Sequence, residues 1–128
     1  MGRRSRSRER RVRDHRKLRA FELADRLAVA VHRATRLFPA DERFGLAAQL
    51  RRAAVSAASN IVEGAARETK PEFHRFLRMA YASAREVEYQ LDLAARLGYL
   101  TLPHADALLP LSRECSIVLR ALIRASRI

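Results

Sequence analysis

The sequence has few of the residues that cross-link a chain or turn it sharply. Its single cysteine, Cys115, excludes an intrachain disulfide framework and fits a reducing compartment. With no Trp and only four Gly and four Pro in 128 residues, it lacks the turn residues that a hairpin-rich architecture needs. The abundant Ala, Leu and Arg point instead to an all-α protein. No apolar run approaches the roughly eighteen residues of a membrane span, and no apolar stretch follows the Arg-rich N-terminus as it would in a signal peptide. The expectation is a cytoplasmic protein without a membrane role. Lysine is almost absent, with two against 24 Arg. The length suits one domain, which can bury about two thirds of its unfolded surface without staples.

Positive charge is unevenly spread. Residues 1–19 carry ten Lys+Arg against two acids, whereas residues 20–128 carry sixteen against twelve. The first stretch has almost no apolar residues to offset the entropy of ordering its backbone, so it reads as a disordered basic arm preceding a domain over 20–128. Arg3, Arg4, Arg6, Arg8, Arg10 and Arg11 are its candidate phosphate contacts, because each neutralised phosphate releases counterions. GC-rich coding, or a start codon placed too far upstream, would produce the same tail.

Four helical segments follow. Leu23, Leu27, Ala30, Val31, Ala34 and Leu37 recur at spacings of three and four and end at Phe38-Pro39. Asp41 is an N-cap candidate for a second helix carrying Leu46, Leu50, Ala53, Ala54, Ala57 and Ile61, closed by Gly64. Thr69-Lys-Pro-Glu72 starts a third helix of about 27 residues, with Gly98 as its C-terminal cap. After Thr101 and Pro103, Leu108, Leu111, Cys115, Val118 and Leu122 step like a coiled-coil seam. Short links between long helices imply an antiparallel up-down-up-down four-helix bundle. Ala-rich faces bury little area each, so association with further copies would add burial.

No catalytic, metal or cofactor constellation emerges. Cys115 sits on the seam, where a thiol is inert. His15, His32, His74 and His104 form no paired spacing, and Glu63 and Glu68 flank a turn as solubilising groups. Arg75, Arg78, Arg85 and Arg96 share one face of the third helix, but Glu88 and Asp92 stand where they can pair with Arg85 and Arg96, so the stripe reads as solvated surface. Arg51, Arg52, Arg67 and Lys70 have fewer acids nearby along the chain. They are the better candidates for a nucleic-acid-binding surface.

Arg43-Phe-Gly-Leu46, Gln49-Leu-Arg-Arg-Ala-Ala-Val-Ser56, Ser59-Asn-Ile-Val-Glu-Gly64 and Lys70-Pro-Glu-Phe-His-Arg-Phe-Leu77 occur in order, between Leu37-Phe-Pro39 and Arg96-Leu-Gly-Tyr-Leu100. Over about residues 20–126 the chain resembles the four-helix-bundle proteins encoded in intervening sequences of bacterial 23S ribosomal RNA genes. The resemblance implies a ring-like homopentamer without known catalytic activity. It also implies kinship with the accessory variability protein of diversity-generating retroelements, whose basic surface associates with nucleic acid and a reverse transcriptase. Two departures stand out. Ala57-Ala58 replaces an Ile-Pro or similar pair, which predicts a straighter second helix, and the Arg-rich arm lies outside the pattern. Ser56, Ser59, Asn60 and Glu63 form the recognisable signature, and Ser and Asn within a helix most simply bond nearby backbone.

Two functions compete. One is a non-enzymatic oligomeric bundle that binds RNA or DNA through phosphates with weak sequence preference. The other is a protein-interaction scaffold with incidental charge. A small hydrolase built on Cys115 or Glu63 is disfavoured, because neither has a partner group at workable spacing.

Overall fold

The computed structural model describes residues 13–126, and all of its regular structure is helical. Helix α1 spans Arg19–Thr35, α2 Leu46–Ala65, α3 Lys70–Arg96 and α4 Leu102–Ser126, with short 3-10 turns at His15–Lys17 and Ala40–Glu42. Each helix packs on its neighbours in sequence, and α4 closes the ring against α1. This is the expected antiparallel four-helix bundle. At 1.5 Å per residue, the 27 residues of α3 reach about 40 Å and outspan the 17 of α1.

The helix starts are set by specific acceptors. Thr69 accepts from the Glu72 N–H at 3.3 Å and Pro71 occupies the first turn of α3, as the sequence predicts. Gly98 follows α3 at φ +78°, a left-handed conformation that favours glycine. The start of α2 differs from expectation. Asp41 belongs to the 3-10 turn, and α2 begins five residues later, with Glu42 Oε1 accepting from the Leu46 N–H at 3.0 Å. The other oxygen of Glu42 accepts from the Tyr99 hydroxyl at 2.9 Å, tying the α1–α2 connection to the α3–α4 connection. These two bonds, the backbone one first, hold the Glu42 carboxyl below its ordinary pKa.

The core runs through Leu23, Leu27 and Val31 of α1, Leu50 and Ile61 of α2, Leu77, Val87 and Leu91 of α3, and Leu108, Cys115 and Leu119 of α4. Ala53, Ala54 and Ala57 of α2 and Ala80 and Ala84 of α3 belong to this core, and such small residues let helix backbones come close. Two readings at the helix ends are corrected. Leu37 is exposed and Phe38 is buried in its place, packed on Tyr99 with ring centroids 5.5 Å apart. On α4 the buried line is Leu108, Ser112, Cys115, Leu119 and Ile123, whereas Leu111, Val118 and Leu122 lie at its half-buried margin. A helix that touches two neighbours buries a broad face, and the small Ser112 and Ser116 fit its centre. Ser116 Oγ donates to Glu88 Oε1 at 3.2 Å. Pro110 lies within α4 on its exposed side, where water can satisfy the carbonyl that loses its donor.

Gly64 does not close α2; it lies inside the helix and is buried. A Cβ built there would stand 2.8 Å from Cβ of Phe76 and 3.4 Å from the Phe73 ring and carbonyl. The helices therefore meet at a contact that leaves no room for a methyl group. In an unobstructed helix interior, Gly→Ala gains about 1 kcal/mol. Here overpacking should win, and Gly64→Ala is expected to lower stability by about 1–3 kcal/mol, read as a lower urea midpoint at unchanged slope. An equal or higher midpoint would mean that α2 and α3 can separate without loss.

Cys115 is fully buried among apolar neighbours, and burial pushes its thiol up to about 12, with Glu114 and Glu88 adding a smaller push. Native protein should react with a disulfide reagent at pH 8 orders of magnitude more slowly than the same protein in urea. Equal rates would remove Cys115 from the core.

Candidate nucleic-acid interface

Arg51 and Arg52 lie in the second turn of α2, whereas Arg67 and Lys70 flank the α2–α3 turn, so about 20 Å of helix separates the pairs. The four do not form one surface. Arg51 is half-buried and committed internally, its Nε donating to Thr35 Oγ1 at 2.8 Å and its Nη2 reaching the His32 carbonyl at 3.5 Å. It places a cation at the C-terminal end of α1, where the helix dipole favours one. Arg52 is exposed and pairs with no acid among the described residues. Arg67 stands 3.9 Å from Glu63, and Lys70, three residues on, is exposed.

The α2–α3 turn gathers cations for a local reason. Because Gly64 admits α3 so closely, Phe73 and Phe76 come to the rim of the bundle, and guanidinium groups cover their faces. Arg13 lies 3.9 Å above Phe73, while Arg67 and Arg75 lie 4.8 Å and 4.7 Å from the centre of the Phe76 ring. The Arg13 N–H also donates to the Ala65 carbonyl at 2.8 Å, capping the end of α2, and its Nη1 donates to the Arg67 carbonyl at 3.3 Å. Burial lowers the Arg13 pKa from its ordinary value. Residues 13–18, which composition groups with the arm, are thus held against the helices, with His15 edge-on to Phe21 at 4.7 Å. Arg3, Arg4, Arg6, Arg8, Arg10 and Arg11 lie outside the described residues.

A second basic feature escaped the sequence reading. Between α3 and α4 runs a groove of about 260 Å³ lined by His74, Arg78, Tyr81, Arg120, Ile123 and Arg124. No carboxylate among the described residues lines it. By sequence Arg78 belongs to the solvated stripe of α3, and Arg120 and Arg124 carry no motif in α4. Their one sequence signal is i,i+4 spacing on α4 opposite Arg78 and Tyr81 on α3, and that juxtaposition exists only after the helices pair. The rest of the α3 stripe behaves as expected, with Arg85 3.5 Å from Glu88 and Arg96 3.1 Å from Asp92.

The signature residues form a tie between helices. Ser56 Oγ meets Ser83 Oγ at 2.9 Å, and Asn60 Nδ2 donates to the Ser56 carbonyl and hydroxyl at 2.9 and 3.1 Å. Ser59 and Glu63 are exposed. The α2 helix runs unbroken through Ala57-Ala58. Among the described residues no group of three or more His, Cys, Asp or Glu is placed to hold a metal ion, and no helix is long and apolar enough to cross a membrane.

The fold is similar to that of a crystal structure at 1.70 Å of a protein of unknown function from the S23 ribosomal protein family of Bacteroides thetaiotaomicron. The TM-score is 0.74 at 24% sequence identity, and the match covers 82% of this chain and 95% of that one. No curated protein matches the chain significantly. The sequence itself matches the 23S rRNA-intervening sequence protein family over residues 16–121. That span begins in the 3-10 turn before α1 and ends within α4, taking in α1, α2 and α3 whole, and the chain belongs to the 23S rRNA-intervening sequence protein family.

Proposed function

We propose that the protein is a non-enzymatic, oligomeric helical bundle that binds RNA or DNA through phosphates with weak sequence preference. The observation that carries this reading is the attachment of Arg13. Its bond to Ala65 and its position on Phe73 fix the junction of the basic arm beside Arg67 and Lys70. Arg13 and Arg67, fifty-four residues apart in sequence, therefore meet at one end of the bundle. Arg67 and Arg75, stacked on the Phe76 ring, are held in orientation by that stacking, which preorganises them for a phosphate. Arg52, exposed on α2, supplies a further contact along a strand.

Log affinity should then fall linearly with log salt, by about 0.7 per phosphate contacted on single strands or 0.9 on duplex. Deleting residues 2–12 leaves the Arg13 anchor in place and should lower this slope without abolishing binding. Arg67→Ser with Lys70→Ser in the shortened protein should lower it again. Absence of binding to any RNA or DNA at 50 mM salt would reject the reading in favour of a protein scaffold.

A second observation supports association. Phe44 is 86% exposed and Leu102 78%, and with Leu37 and Leu97 they form an apolar rim at the end of the bundle where Phe38 meets Tyr99. A homopentamer, as the family resemblance implies, would have such surface to bury; so would a complex with a protein partner such as a reverse transcriptase. Light scattering at micromolar concentration should give a mass near five times 14.6 kDa. A clean monomer at that concentration would reject self-assembly and leave the rim to a different partner.

A further inference from the structure

We propose that the groove between α3 and α4 is a binding site for a phosphate monoester, as carried by the phosphorylated end of a nucleic-acid strand or by a free mononucleotide. The proposal deepens the phosphate-binding reading above and depends on it only for the source of the ligand.

The arginines of α3 and α4 divide into two groups. Arg85, Arg96 and Arg113 each have a carboxylate within ion-pair distance, and Arg75 rests on Phe76. Arg78, Arg120 and Arg124 have no such carboxylate among the described residues, yet all three line one groove of about 260 Å³. Three like charges converging without an acid repel one another, and an anion in the groove relieves that repulsion. The apolar wall supplied by Ile123 reduces solvent screening there.

The donors favour a phosphate over a carboxylate. Guanidinium forks match both anions, but here they approach from two helices, Arg78 from α3 and Arg120 and Arg124 from α4, a spread that suits tetrahedral rather than planar oxygens. Two further groups add to them. Tyr81 Oη accepts from Arg120 Nη1 at 3.5 Å, leaving the phenolic proton free to donate into the groove, and Arg120 first, then Arg85, lowers the Tyr81 pKa and makes it a better donor. His74 lines the groove, and its Nε2, shielded from solvent, finds no partner among the described residues. Three guanidiniums exceed the single charge of a phosphodiester and suit the near-double charge of a monoester at neutral pH. The volume accommodates a phosphate with its sugar.

The test compares binding of the full-length protein to a 12-nucleotide single strand bearing either a 5′-phosphate or a 5′-hydroxyl, and to uridine 5′-monophosphate alone. The phosphorylated strand should bind about tenfold more tightly, the equivalent of one charged hydrogen-bonded contact. The mononucleotide should bind once per chain. Arg120→Ser with Arg124→Ser, both exposed positions, should abolish the preference and the mononucleotide binding while retaining affinity for the hydroxyl strand. Arg120→Lys should keep the charge and lose most of the preference, and Tyr81→Phe should weaken it severalfold. Circular dichroism of each variant confirms that the bundle is intact. Equal binding of the two strands by wild type, or a preference that survives the double substitution, overturns the proposal and leaves phosphate-backbone binding standing. If neither strand binds but the mononucleotide does, in an Arg120- and Arg124-dependent manner, the groove is confirmed with a free nucleotide as its ligand and the nucleic-acid reading falls.

Discussion

The close meeting of α2 and α3 at Gly64 is the constraint on which the rest of the surface depends. A Cβ at that position would collide with Phe76, so the helices reach their observed separation only because residue 64 has no side chain. That separation sets Phe73 and Phe76 against the end of α2, where the guanidiniums of Arg13, Arg67 and Arg75 cover their faces and both rings are buried. The Arg13 backbone caps the end of α2 at Ala65 in the same movement. One glycine thus bears on where three cations stand and where Arg13 meets the helices.

Most of the fold was legible in the residues. Apolar spacing located four helices because each must hide one face, and Thr69, Pro71 and Gly98 marked the ends of α3 because their local chemistry acts within a few residues. The errors lie where a distant partner decides the outcome. Gly64 looked like a terminator, since local propensity cannot reveal a phenylalanine twelve residues away pressing on it. Asp41 looked like a cap, but Glu42 is the acceptor because it can also reach Tyr99. On α4 the apolar seam pointed one residue away from the true centre, since Ser112 and Ser116 are admitted for their size rather than their polarity.

The charged surface was less legible, and for the same reason. A count of acids along the chain grouped Arg51 with Arg52, Arg67 and Lys70, but Arg51 turns inward to Thr35 and the others stand at two ends of α2. What separates one arginine from another is the group it meets: a carboxylate, a ring, a helix end, or none. Arg113 meets Glu88 across the α3–α4 seam, while Arg120, two turns further on, faces Arg78 and Tyr81. Identical side chains on one helix therefore do different work, and only the pairing of helices distributes it.

Glu42 gives the two ends of the bundle different sensitivities. Its carboxylate fastens the α1–α2 connection to Tyr99 and to the start of α2, and its pKa is lowered in the folded state. Stability from such a group is fully present above the unfolded carboxylate pKa and is lost as pH falls through the lower folded value. The opposite end is held by guanidiniums on aromatic rings and backbone carbonyls, which keep their charge throughout that range. Acid therefore weakens the latch between its loops, while the cation–ring contacts at the far end keep their charge.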